Sequence, residues 1–164
     1  MTKKKQNRPA LSAVPAAVAF AFVFGQIHFG FMAAFFLPFL LAYFIYCGFI
    51  AIRRPLDRKV IAAKAATWAC ALLAVAITHW YWFVASRADA NRVVSAVIGY
   101  RNRTGNYPPD DAALGIEIKP LESKWMLGYH LWHGQPSVLY AATFIIYDAY
   151  EFDFDSRTWR YFPG

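Results

Sequence analysis

From Pro9 to Ile52 the chain carries no charged side chain, a run of 44 residues. A helix crosses the hydrocarbon core of a bilayer in about 20 residues, so the run predicts two spans joined by a tight turn. Its least apolar stretch is Gly25-Gln26-Ile27-His28-Phe29-Gly30. Gly punctuates helices, and Gln and His prefer the interface, so the turn belongs there. A third apolar run covers about residues 62–85. Lys64 lies near its start, where the stem can stay in lipid while the ammonium reaches water. The run closes on His79-Trp80-Tyr81-Trp82-Phe83, an aromatic belt for the opposite interface. The expectation is a transmembrane region over residues 1–86, with spans at about 10–27, 31–52 and 62–85, and a separate domain over residues 87–164.

Composition supports this division. Of the 164 residues, 59% are hydrophobic and 19% aromatic, more apolar surface than a soluble domain of this size can bury. The net charge of +7 suggests nucleic acid until it is mapped. Residues 1–86 hold nine basic side chains against Asp57 alone, whereas residues 87–164 hold eight against nine acids. The positive excess flanks the apolar runs, which is the pattern of cytoplasmic membrane loops and excludes a basic nucleic-acid face. The tail with Lys3, Lys4, Lys5 and Arg8 and the loop 53–64 are both basic, so both are expected inside. Three spans then place the C-terminal domain outside, in the periplasm of a bacterium, on a multi-pass inner-membrane protein. A cleaved signal peptide would need a shorter apolar core, closed by a cleavage site.

Small residues recur at every fourth position in two of the expected spans. Ala13, Ala17, Ala21 and Gly25 share one face of the first, and Ala62, Ala66, Cys70, Ala74 and Thr78 one face of the third. Such stripes let helix backbones approach closely in lipid, so these faces are expected to pack on each other or on a partner helix. Pro15 and Pro38 are candidate kinks. No Asp, Glu, Lys or Arg falls at mid-membrane, which argues against a proton relay or ion path. Cys47 and Cys70 both lie in apolar segments and are expected as buried thiols, not as a disulfide framework.

In residues 87–164, Val93, Val94, Val97 and Ile98 recur at helical spacing, so the third span is expected to continue outward as the first helix of the domain. Thr104-Gly105-Asn106 stops it, and Tyr107-Pro108-Pro109 forces an extended exit. Short strands follow: Trp125–Trp132, a turn at His133-Gly134-Gln135-Pro136, Ser137–Ala141, a longer strand Phe144–Phe154, a turn at Asp155-Ser156-Arg157, and Thr158–Phe162. The fold class is thus an α-helical membrane protein with three transmembrane helices and a small C-terminal α+β domain, a helix packed on a four-stranded antiparallel meander.

A helix continuing out of the membrane, then Tyr100-x-x-x-x-Gly105-x-Tyr107-Pro108, Leu114 six residues on, and a small antiparallel sheet resembles the type IV pilins and pseudopilins. The resemblance covers about residues 65–164. It implies a long helix packed on the sheet, with the Gly-x-Tyr-Pro stretch leading from one to the other. The chain departs from the family in having no Glu in the third span and two apolar segments before it. It more nearly resembles a polytopic pilus accessory protein with a pilin-like head than a pilin.

Candidate chemistry is sparse. His130 and His133 have a metal-like spacing, but zinc needs further ligands, and strand positions three apart face opposite sides. Glu151, Asp153 and Asp155 alternate along a strand too widely to chelate one calcium ion unaided, and Arg157 and Arg160 on the next strand partly neutralise them. Asp110-Asp111 reads as turn chemistry, and His28 and His79 as interfacial rings. No catalytic, cofactor or metal residues are assigned. Besides membrane lipid, a protein partner is expected, pilin-like or another membrane protein. Its surface would hold Tyr150, Glu151, Phe152, Asp153, Asp155 and Trp159. The leading expectation is a non-enzymatic accessory of a type IV pilus or related secretion assembly. The alternative is a stand-alone membrane protein whose outer domain binds a ligand or toxin, as sensors and immunity proteins do.

Overall fold

The computed structural model describes residues 12–164. They form four helices and one four-stranded antiparallel sheet: α1 (Val14–Phe24), α2 (Gly30–Arg53), α3 (Arg58–Thr104), α4 (Lys119–Trp125), β1 (Gly128–Trp132), β2 (Gln135–Ala141), β3 (Ala149–Asp153) and β4 (Thr158–Phe162). Short 3₁₀ turns lie at Pro55–Asp57 and Ala112–Leu114. The chain divides into two compact units, Met1–His79 and Trp80–Gly164.

Among the described residues, two helical stretches are long and apolar enough to cross a membrane: Gly30–Arg53 and Pro55–Thr104, the second including α3. Among the described residues there are thus two candidate spans where three were expected. Helix α1 has 11 residues, about 16 Å at 1.5 Å per residue, half of a hydrocarbon core of about 30 Å. Residues 10 and 11 of the expected first span lie outside the described residues. Pro15 also has a different role from a kink. It falls in the first turn of α1, where its missing N–H costs nothing. Pro38 is inside α2, where the helix continues through it. The turn between α1 and α2 falls at Gly25–Phe29 as expected.

Ala17, Phe20, Ala33, Leu40, Ala71 and Val75 form the small core of this unit. Phe20 meets Trp68 edge-on at 5.6 Å, and a methyl group added at Gly25 would touch Thr78 at 3.8 Å. Helix α1 therefore runs in the same direction as α3. The end of α1 is tied to α3 by His79, whose Nε2–H donates to the Phe24 carbonyl at 2.8 Å. That carbonyl is in the last turn of α1, beyond the reach of the intrahelical ladder, and an apolar medium offers no water to satisfy it. Arg58 caps the end of α2 in the same sense, its Nε donating to the Ala51 carbonyl at 2.7 Å.

In the second unit, α3 turns one face inward. Ser86, Ala90, Val93 and Val97 are fully buried, at the 3–4-residue spacing of one helix face. The sheet order is β1-β2-β3-β4, the expected meander. Two strands differ from expectation. The stretch expected as the start of β1 is the end of α4, which closes on Trp125, fully buried, with Met126 in the left-handed region at φ +52°. The long strand expected over residues 144–154 shortens to Ala149–Asp153, because residues 142–148 form a loop. The β1–β2 turn is His133-Gly134, both at positive φ, the two-residue hairpin geometry that matches strand twist. The second unit begins seven residues before the expected boundary. Trp82 packs on Trp125 at 6.0 Å and Phe83 on Tyr150 at 6.2 Å, so residues 80–86 belong with the sheet.

Candidate functional site

The layer between α3 and the sheet is built from aromatic rings around one cation. Phe83, Arg87 and Asn91 follow one another at i, i+4 on α3, so they share a face. Opposite them stand Tyr140 on β2, Tyr150 on β3 and Trp159 on β4. The Arg87 guanidinium lies 4.8 Å from the ring centres of both Tyr150 and Trp159, and 5.7 Å from those of Tyr140 and Phe83. A guanidinium is weakly hydrated and is attracted to ring faces, so a cage of this kind replaces water at modest cost. Tyr140 stacks on Tyr150 at 5.3 Å, and the Trp159 indole N–H donates to Asn91 Oδ1 at 2.9 Å. Tyr140 is fully buried, and its hydroxyl has no hydrogen-bond partner among the described residues. Burial pushes it up to about 12, with Arg87 pulling the other way. Tyr129 is likewise raised to about 12 by burial; its hydroxyl donates to the Pro108 carbonyl at 2.7 Å.

The hairpin β3–β4 carries the acids. Asp153 Oδ1 accepts from the backbone N–H of Asp155 at 2.9 Å and of Ser156 at 3.2 Å, and the carboxylate pairs with Arg160. The hydrogen bonds from Ser156, foremost its backbone N–H, hold Asp153 below the usual carboxylate range. Glu151 accepts from Ser137 Oγ at 2.6 Å. Glu151, Asp153 and Arg160 line a cleft of about 420 Å³ whose other side is formed by Arg101, Tyr107 and Gln135. Arg101 donates to the Tyr107 hydroxyl at 2.5 Å, and Tyr107 packs on Phe154 at 5.8 Å. The Gly105-x-Tyr107-Pro108 stretch thus ends the helix and lines the cleft. Gly105, at φ +78°, ends α3 by donating its N–H to the Arg101 carbonyl, a left-handed cap that favours glycine. Pro108 is fully buried.

The residues singled out as a partner surface are separated by strand alternation. Tyr150 and Trp159 belong to the layer around Arg87, and Phe152 is buried against Trp159 at 5.2 Å. Glu151, Asp153 and Asp155 belong to the acidic side of the hairpin, where Asp155 is exposed. Of the small-residue stripes, Ala17 and Gly25 are buried and Ala13 and Ala21 half-buried, whereas Ala62, Ala66, Cys70 and Ala74 are exposed. The inward face of that part of α3 is instead Ala71, Val75 and His79. Cys47 is buried; Cys70, expected buried, is exposed. Asp110 acts in a turn, accepting from the Ala113 N–H at 2.9 Å. His130 is exposed on β1, and His133, also exposed, sits in the hairpin turn. Among the described residues no group of three or more His, Cys, Asp or Glu could hold a metal ion. Arg87 is the functional-site residue that sequence reasoning missed. Its signal was the i, i+4 succession Phe83, Arg87, Asn91 along one side of α3.

Fold and site define a class: an α+β unit that begins on a long helix whose earlier part is apolar. No family model matches the chain, and neither a curated protein nor a solved structure matches it significantly.

Proposed function

We propose that this chain is a non-enzymatic, multi-pass protein of the bacterial inner membrane, an accessory of a type IV pilus or related secretion assembly. Helices α2 and the first part of α3 cross the bilayer. The basic loop 53–64 lies on the cytoplasmic side. Because α3 leaves that loop and does not return, the loop alone puts the second unit in the periplasm. The observation that carries the reading is the continuity of α3 from an apolar stretch into the layer on a four-stranded meander, ending at Gly105-x-Tyr107-Pro108. That is the layout the pilin resemblance implies. The partner is a pilin-like or other membrane protein, met through the acidic side of the β3–β4 hairpin. Cross-linking followed by co-purification with pilin-family subunits is the expected result. Normal piliation and secretion in a deletion strain would overturn it.

The cleft between Arg101, Tyr107, Glu151, Asp153 and Arg160 favours a second reading, a periplasmic unit that binds a small polar ligand or a toxin segment. Loss of a captured ligand on Arg101→Ala, with piliation unchanged by deletion, would select it.

A further inference from the structure

We propose that the second unit rests directly on the bilayer through a second contact, the apolar loop Phe144–Tyr147 flanked by Met126 and Phe162. The proposal rests on the reading of α3 as a membrane span. Strand register gathers these residues at one end of the sheet. Ala141, the last residue of β2, pairs with Ala149, the first of β3, and Ala149 pairs with Phe162, the last paired residue of β4. Strand β1 starts at Gly128 opposite Leu139, so Met126 precedes it at that same end. Helix contacts identify the end. Phe83 touches Tyr150 and Trp82 touches Trp125, whereas Tyr107, beyond the far end of α3, touches Phe154 at the opposite end. The loop therefore lies where α3 enters the unit, at the level of the exposed Trp80 and Tyr81.

The exposure pattern follows the same axis. Tyr147 is 76% exposed, and Phe144, Ile146, Met126 and Phe162 are between 36% and 49%. Among the described residues of this unit, Trp132 is the one large exposed hydrophobic at the other end. A loop facing water would carry Gly, Asn, Asp or Ser, not Phe-Ile-Ile-Tyr. The base of the loop is fixed, so its side chains are held outward. The buried Asp148 carboxylate accepts from the Tyr161 hydroxyl and from the Gly164 N–H at 3.1 Å, and the Ala142 N–H donates to the Asp148 carbonyl at 2.8 Å. Charge agrees with a lipid surface. Lys124 sits 4.4 Å over the Trp125 ring and 6.0 Å from that of Trp82, and the hairpin acids Asp153 and Asp155 lie toward the opposite end together with Arg157 and Arg160. Amphipathic aromatic rings at this level are the composition of a membrane interface.

The test uses the full chain with Cys47→Ala and Cys70→Ala, reconstituted in vesicles of phosphatidylethanolamine and phosphatidylglycerol. Nitroxide labels are placed by Ile146→Cys, Tyr147→Cys, Leu73→Cys and Asp155→Cys, and accessibility to oxygen is compared with that to a water-soluble nickel chelate. The expected order of oxygen preference is Leu73→Cys highest, the two loop sites intermediate and severalfold above Asp155→Cys. If the loop sites match Asp155→Cys while Leu73→Cys is deep, the loop does not dock although α3 spans. Loop labels shielded from both reagents would mean a protein covers the face, which also overturns the proposal. If Leu73→Cys is itself aqueous, the span fails and the docking with it.

Discussion

Helix α3 has two parts, and they differ in what they leave uncovered. Before His79 it buries Ala71 and Val75 and exposes Leu73 and Ile77. After Trp80 it buries Ser86, Ala90, Val93 and Val97 and exposes Asn91, Arg92, Ser95 and Asn102. One continuous backbone ladder runs through both. Beyond Ala88 the outward side chains are largely polar, as burial sorting against water requires, whereas Leu73 and Ile77 face outward before His79. Packing in the first part combines small residues and satisfied backbone groups with rings such as Phe20 and Trp68. In the second it relies on rings and branched aliphatics removed from water.

The sharpest way to break this contrast is to truncate one residue on each side. Trp125→Ala removes a fully buried ring and the indole donor to Asp89 at 2.8 Å, and should cost about 3–5 kcal/mol in thermal unfolding of the second unit. Ile77→Ala, outward on the first part, should cost about 0.5 kcal/mol or less. Next in size is overpacking. Ala17→Leu, at a 3% exposed site, should lose about 1–3 kcal/mol. Ala66→Leu, at an exposed one, should be nearly neutral in the same detergent melt. Gly105→Ala forces a methyl side chain into φ +78°, and should lower stability by about 1–2 kcal/mol without touching the apolar unit. The smallest effect is spectroscopic. Tyr129 and Tyr140 favour the neutral phenol in the folded state, so their contribution is complete below pH 10 and is lost as pH rises toward about 12. Tyrosinate absorbance from these two should therefore appear only near about 12. Asp153 has the opposite sign: the stability it contributes is present above 3.8 and falls away as acid protonates it, an effect that Asp153→Asn removes.

What could be read from the sequence follows the same division. Strand β4 was legible to the residue, because Trp159 and Tyr161 alternate directly after the Asp155-Ser156-Arg157 turn. Gly105 was legible because glycine adopts the left-handed region at a helix end at least cost. The inward face of the first part of α3 was not. In a segment apolar on all sides, the small residues at 62, 66, 70 and 74 carry no signal of which way they face; Trp68, Ala71 and Val75 were chosen by fit. Helix α4 was missed because Trp125-Met126-Leu127 has strand composition, and only the left-handed Met126 separates helix from strand. The layer around Arg87 was hidden for a different reason. A single cation on a helix reads as surface until three strands from elsewhere in the chain bring rings to it.

The central claim is that α3 passes from lipid to water with its far end outside the cell membrane. In intact cells lacking Cys47 and Cys70, single cysteines at Lys59, Leu73, Ile77, Ser95 and Asn102 would be challenged with a membrane-impermeant maleimide after selective opening of the outer membrane. The account predicts labelling at Ser95 and Asn102, protection at Leu73 and Ile77, and labelling at Lys59 only once the inner membrane is broken. Labelling at Leu73 in intact cells, or at Ser95 only after lysis, would contradict it.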